Sequence, residues 1–92
     1  MPQVLSHKQL LSIAEEFGTP VYVYHAEKIA GQYQKLTTAF ENTDAIFFYA
    51  CKALTNVNIL SYIKSIGANI DCSSINEVKL ALHAGFTPER IL

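Results

Sequence analysis

Apolar residues recur at helical spacing in four segments of the chain, and capping residues bound three of them. Ser6 with Gln9 and Ser74 with Glu77 have the spacing of a capping box, which is typical of a helix start. Glycines stand where three of the helices end, and the turn residues 41–44 follow the helix over residues 26–40. These patterns predict four helices: between Ser6 and Gly18, over residues 26–40, between Thr55 or Asn56 and Gly67, and between Ser74 and Gly85.

Short apolar runs separate the helices and predict strands. They are residues 20–24, residues 45–51, residues 69–72 and a last strand that starts at Ile91. Residues 45–51 are apolar throughout, which is typical of a strand buried on both faces. The positions of Tyr49, Ile70 and Leu92 are 21 and 22 residues apart, the length of one βα unit. Alternating elements with short connections therefore predict a parallel α/β sheet.

Composition supports a folded chain and excludes several classes of protein. Hydrophobic residues make up 50% of the 92 positions and charged residues 16%, whereas about 25% charged is usual. A net charge of −1 gives no basic surface for nucleic acid or anionic membrane. No apolar run approaches the roughly 20 residues that cross a bilayer, and residues 1–11 show no signal peptide. Two cysteines without zinc-ligand spacing predict no metal site and a reduced, cytoplasmic protein.

Lys52 is the first candidate for chemistry, because it follows an apolar strand directly. In parallel α/β folds, ligands bind at the carboxyl ends of strands. Strand alternation places Phe48, Ala50 and Lys52 on one face, where small Ala50 leaves room beside the amine. An amine held in an apolar pocket is favoured in its uncharged, nucleophilic form and suits Schiff-base chemistry. A lysine that only leaves the sheet and extends to water is the alternative.

Two acidic residues lie near the same predicted edge. Asp71 ends the next strand, and adjacent parallel strands bring it towards Lys52, where a carboxylate can orient the lysine or a cofactor. A turn carboxylate or a simple ion pair is the alternative for Asp71. Glu77 completes a capping box with Ser74, and this alone accounts for it. Cys51 and Cys72 fall on the opposite strand face and are expected to pack beneath helices.

Four motifs in order resemble one enzyme family. Residues 18–24 read GTPVYVY, residues 48–53 read FYACKA, residues 67–77 read GANIDCSSINE and residues 84–91 read AGFTPERI. Together they resemble the diaminopimelate decarboxylases, which are fold-type III pyridoxal-phosphate decarboxylases. The resemblance runs from about residue 17 to residue 92. It implies that Lys52 carries pyridoxal phosphate as a Schiff base and that Asp71 and Glu77 lie near this cofactor.

The resemblance also implies a fold and an activity. Residues 1–92 are expected to be the first βα units of a truncated (β/α)8 TIM-type, alanine-racemase-like barrel, without the family's C-terminal β-domain. The full-length protein is expected to decarboxylate meso-diaminopimelate to L-lysine, as a cytoplasmic homodimer that binds small amino acids and neither nucleic acid nor membrane. The 92-residue chain is expected to be an inactive N-terminal fragment, because other cofactor-binding and substrate-binding residues of the family come later.

Three alternatives stay open. The lysine and aspartate motifs are shared with ornithine and arginine decarboxylases of the same fold type. A non-catalytic pyridoxal-phosphate homeostasis protein uses a similar barrel and lysine without a β-domain. A small α/β interaction domain, complete at residue 92, is the third possibility.

Overall fold

A computed structural model describes residues 4–92 as alternating helices, strands and two short 3₁₀ turns. In none of these helices are length and apolar character together sufficient to span a bilayer. The elements are α1 (His7–Phe17), α2 (Ala26–Ala39), β1 (Phe48–Ala50), α3 (Val57–Ser65), β2 (Asn69–Asp71) and α4 (Ile75–Ala84), with 3₁₀ turns over Cys51–Ala53 and Pro88–Arg90.

All four predicted helices are present, and three begin at side-chain caps. The Ser6 hydroxyl accepts from the Gln9 backbone N–H, and the Gln9 side chain accepts from the Ser6 N–H, so the predicted capping box is confirmed. The Asn56 side chain accepts from the Asn58 and Ile59 N–H groups at the start of α3, and the Ser74 hydroxyl accepts from the Glu77 N–H at the start of α4. These oxygens satisfy N–H groups that have no partner within a helix. Local sequence therefore determined where these helices start.

The sheet is parallel, as predicted. Phe48 lies opposite Asn69 and Ala50 opposite Asp71 along β1 and β2. Ile91 forms a parallel bridge to Ile70, and the Leu92 N–H donates to the Ile70 carbonyl oxygen at 2.9 Å. Ile91 and Leu92 therefore pair with β2 at the position where the sequence predicts another strand to begin.

The core lies between this sheet and the α3–α4 pair. Leu60, Ile70 and Cys51 are its largest fully buried side chains. The partly buried Ile29 and Tyr33 of α2 pack against the cluster from one side. Eight hydrophobic residues are buried in total: Cys51, Leu60, Ile63, Ala68, Ile70, Ala81, Ala84 and Phe86.

The strand predicted over residues 20–24 is wrong. These residues form no regular element, and Tyr22 is 89% exposed. The β-branched and aromatic composition favours an extended strand, but a strand is stable only when a neighbour pairs with its backbone. No described residue pairs with this segment.

The prediction of a seven-residue strand buried on both faces, over residues 45–51, is also wrong. β1 covers only three residues, because the backbone turns into a 3₁₀ helix at Cys51. Phe48 is 38% exposed and Ala50 is exposed as well. β2 is the sole strand paired with β1 among residues 4–92, so one edge of β1 lacks a hydrogen-bonded neighbour there.

Helix α4 buries only part of the face that its apolar spacing predicts. The helical spacing of Ile75, Val78, Ala81 and Leu82 predicts that all four face inward, but Ile75 and Leu82 are 68% and 48% exposed. Ala81 is buried as expected, together with Ala84, and Val78 is half-buried. Small side chains at the contact allow α4 to approach α3 closely, which the apolar pattern alone does not reveal.

Arg90 fastens the amino-terminal end of β2, a role that the sequence did not indicate. Its Nε donates to Asn69 Oδ1 at 3.1 Å, and its Nη2 donates to the carbonyl oxygens of Lys64, at 3.2 Å, and Ala68. The guanidinium carbon lies 5.3 Å from the centre of the Phe86 ring. Arg90 therefore ties α3 to β2 at the end of the sheet opposite Lys52.

Candidate active site

The carboxyl ends of β1 and β2 lie at one edge of the sheet and bring Lys52 and Asp71 there. Lys52 lies in the 3₁₀ turn Cys51–Ala53, which follows β1 directly. Asp71 is the last residue of β2, and its register partner is Ala50, two positions before Lys52. The structure thus places both residues where parallel α/β folds bind ligands.

The surroundings of Lys52 differ from the predicted apolar pocket. Its side chain is exposed. Because β1 ends at Ala50, strand alternation does not place Lys52, and the 3₁₀ turn directs its side chain instead. Within residues 4–92, the single ion pair is 3.9 Å long and joins His25 Nε2 to Glu27 Oε2. Lys52 Nζ accordingly has no carboxylate oxygen within 4.0 Å in the described region.

Asp71 and Glu77 differ in what their carboxylates do. Asp71 is half-buried and forms no ion pair with Lys52. The Glu77 carboxylate accepts the Ser73 backbone N–H at 2.9 Å, while the Glu77 N–H donates to the Ser74 hydroxyl at 3.2 Å. This is the predicted capping box shifted by one residue, since the carboxylate reaches Ser73 rather than Ser74. Glu77 thus holds the turn that follows β2.

The two cysteines pack against the core, as expected, but each follows the last residue of its strand, so strand alternation does not place them. Cys51 is fully buried, and the half-buried Cys72 packs against the same core; both are free thiols. Burial is the main cause that raises the pKa of the Cys51 thiol, and the nearby Cys72 and Glu77 add to this effect. The pKa of Cys51 is therefore about 11. Burial and the charge of Glu77 raise the pKa of Cys72 as well. In the described part of the chain, no three His, Cys, Asp or Glu side chains are grouped as a metal site.

Alkylation should therefore spare Cys51. The thiolate is the reactive form, and a pKa of about 11 leaves roughly 100-fold less thiolate at pH 8 than an ordinary cysteine has. We expect iodoacetamide to modify Cys51 at least about 100-fold more slowly in the folded protein than in urea. The rate should keep rising up to about pH 11, whereas the rate of an ordinary thiol levels off above about pH 10. Peptide mass spectrometry measures both rates, and equal rates at pH 8 would contradict the burial of this thiol.

Tyr49 is the residue at this site that sequence reasoning missed. Its hydroxyl donates to the Leu54 carbonyl oxygen at 3.1 Å, across the turn that carries Lys52. Only the aromatic character of Tyr49 was visible in the sequence, and this indicated a strand rather than a polar contact. The bond became apparent once the turn brought Leu54 back towards β1.

Comparisons with known proteins agree with the geometry. A family model described as "Pyridoxal-dependent decarboxylase, pyridoxal binding domain" matches residues 26–92. Diaminopimelate decarboxylase of Methanothermobacter thermautotrophicus is 42% identical over 84 residues, which are 89% of this chain and 20% of the relative. The Campylobacter jejuni diaminopimelate decarboxylase is 36% identical over 96% of this chain and 21% of the relative.

A solved structure shows the same arrangement of elements. The lysine decarboxylase from Selenomonas ruminantium superposes on this chain with a TM-score of 0.86 and 27% sequence identity. That superposition covers 97% of this chain and 24% of the solved chain. The chain thus spans about a fifth of the length of the curated relatives it matches.

Proposed function

Because its residues 26–92 match the pyridoxal binding domain of that family, the chain belongs to the pyridoxal-dependent decarboxylases, and we propose that the full-length protein decarboxylates meso-diaminopimelate to L-lysine. The alternating helices and parallel strands are the first βα units of the family's TIM-type barrel. The observation that carries the proposal is the position of Lys52, an exposed amine at the carboxyl end of β1.

The residues at the sheet edge fit pyridoxal phosphate. The cofactor carries an aldehyde, and an aldehyde is bound covalently by a primary amine. Lys52 offers that amine without an ion pair to any described carboxylate, at the end of the strands where α/β folds bind ligands. Asp71, on the neighbouring strand, offers a half-buried carboxylate at the same edge. When bound, pyridoxal phosphate supplies an electron sink for the carbanion that loss of carbon dioxide leaves.

Each of the three site residues has a distinct role in the proposal. Lys52 Nζ holds the cofactor, gives way to the substrate amine, and returns as the nucleophile that releases the product. Asp71 orients polar groups of the lysine or the cofactor at the carboxyl end of β2. Glu77 is proposed to lie near the cofactor and acts by holding the turn at Ser73, because its carboxylate is engaged there.

The choice of substrate rests on the relatives. Proteins named diaminopimelate decarboxylase are 36% and 42% identical to this chain, whereas solved enzymes named lysine and lysine/ornithine decarboxylase are 27% and 26% identical. The substrate differs from lysine and ornithine in having a second carboxylate at its far end. A site built to pair that carboxylate discriminates against substrates that lack it by about 10⁴-fold. The proposal includes a cytoplasmic homodimer, and the free state of Cys51 and Cys72 is compatible with a reducing compartment.

The test uses the full-length protein with pyridoxal phosphate. Borohydride reduction followed by peptide mass spectrometry should place the cofactor on Lys52. Incubation with meso-diaminopimelate should then release carbon dioxide and L-lysine in equal amounts. Lysine, ornithine and arginine should react at least about 100-fold less efficiently, as kcat/KM. Preferred turnover of ornithine or arginine would overturn the substrate, and a cofactor attached at another lysine would overturn the site.

A further inference from the structure

A hydroxyl group on β1 closes the turn that presents Lys52. Tyr49 is the middle residue of β1 and lies opposite Ile70 in the sheet. Its phenol oxygen donates to the Leu54 carbonyl oxygen at 3.1 Å. The bond therefore joins the strand before Lys52 to the residue that follows the 3₁₀ turn.

Leu54 is held through both of its backbone polar groups. Its N–H donates to the Cys51 carbonyl oxygen at 3.2 Å, and its carbonyl oxygen accepts from Tyr49. Cys51, at the start of the same turn, is anchored by a side chain with 0% exposure. Lys52 lies between these anchors, so the direction in which its side chain leaves the sheet depends on them.

The bond to Leu54 lies next to an apolar cavity of about 530 Å³ between α2, β1 and α3, which Tyr49 and Leu54 both line. A phenol keeps its proton at neutral pH and burial raises the pKa of Tyr49 further, so the Tyr49 hydroxyl is available as a donor. A carbonyl oxygen next to apolar side chains is costly to leave without a partner. Removing the Tyr49 hydroxyl is therefore expected to loosen Leu54 rather than to leave the turn unchanged.

We propose that Tyr49 is a positioning residue for Lys52, which fixes the turn Cys51–Ala53 so that the amine meets the cofactor in one orientation. The inference rests on the proposed role of Lys52 and adds a residue to it. Tyr49 itself touches neither substrate nor cofactor in this role. It acts through the Leu54 carbonyl, at the far end of the turn.

Tyr49→Phe in the full-length protein tests this, because it removes only the hydroxyl. Tyr33→Phe is the matched control: Tyr33 lines the same cavity, and its hydroxyl has no hydrogen bond among the described residues. Without cofactor, amide hydrogen exchange across residues 51–54 should be about 3-fold to 10-fold faster in Tyr49→Phe, which corresponds to one ordinary hydrogen bond. Exchange in α4 should stay as in the unaltered protein.

The second measurement is the affinity for pyridoxal phosphate, which should weaken about 3-fold to 10-fold in Tyr49→Phe and stay unchanged in Tyr33→Phe. Unchanged exchange in Tyr49→Phe, or an equal effect of Tyr33→Phe, would overturn the inference. Faster exchange with unchanged affinity would reduce Tyr49 to a structural residue and overturn it as well. The proposed function fails separately, when borohydride attaches the cofactor of the unaltered protein to a residue other than Lys52.

Discussion

Replacing Lys52 by alanine is expected to lower decarboxylase activity of the full-length protein by about 10³-fold or more. In the proposed role the amine is needed at two stages, since it holds the cofactor and later displaces the product. Losses of this size and larger accompany removal of a group that bonds covalently during a reaction. The measurement is the steady-state release of carbon dioxide from meso-diaminopimelate, together with the absorbance of the bound cofactor.

Two further variants separate the nucleophile from the charge. Lys52→Arg keeps a positive charge but replaces the amine by a guanidinium that stays protonated, so it should be as inactive as Lys52→Ala. Lys79→Ala removes an exposed lysine on α4 and should leave activity within about 2-fold of the unaltered protein. Activity of Lys52→Arg close to that of the unaltered protein would show that Lys52 acts only through its charge.

Replacing Ile70 by alanine is expected to destabilise the protein by about 2–5 kcal/mol. The side chain is fully buried, and its backbone pairs with Tyr49 on one side and Ile91 on the other. Truncating such a side chain loses the transfer free energy of three carbon-sized groups and leaves a cavity that the sheet cannot close. A lower urea midpoint with an unchanged slope is the expected observation.

Ile75→Ala is the matched control for this prediction. Ile75 is the same residue type in the same chain, but it is 68% exposed at the start of α4. Its truncation should change the free energy of unfolding by no more than about 0.5 kcal/mol. A loss at Ile75 as large as that at Ile70 would contradict the burial that separates the two positions.

The helices were predictable from the sequence because their signals are local. Ser6, Asn56 and Ser74 lie within three residues of the N–H groups they satisfy. Gly85 adopts a φ of 106°, a conformation that residues with a side chain rarely adopt, directly after α4. None of these contacts depends on the rest of the fold.

The strands were less predictable because pairing is not local. Residues 20–24 and residues 45–51 are both rich in β-branched or aromatic residues, yet only Phe48–Ala50 pairs with a neighbour. Strand composition indicates a capacity to pair, and whether a backbone comes within reach depends on how the helices pack. The exposed residues 20–24 show that the capacity alone does not form a strand.

Lys52 could be located from the motif FYACKA and from its place after an apolar strand. Tyr49 and Arg90 could not, because their hydrogen bonds join residues that come together only after folding. Arg90 meets the carbonyl oxygen of Lys64, 26 positions away, and no periodicity reports such a contact.

The sequence alone indicated the family, the alternation of helices and strands, and the lysine that carries the proposed chemistry. Each of these follows from short motifs or from residues that are only a few positions apart. Folding in three dimensions settled which strands pair, that β1 stops at Ala50, and that Lys52 projects from a turn held at Leu54. The physical reason is range: capping and periodicity act over one or two helical turns, whereas strand pairing and burial depend on residues that are distant in the chain.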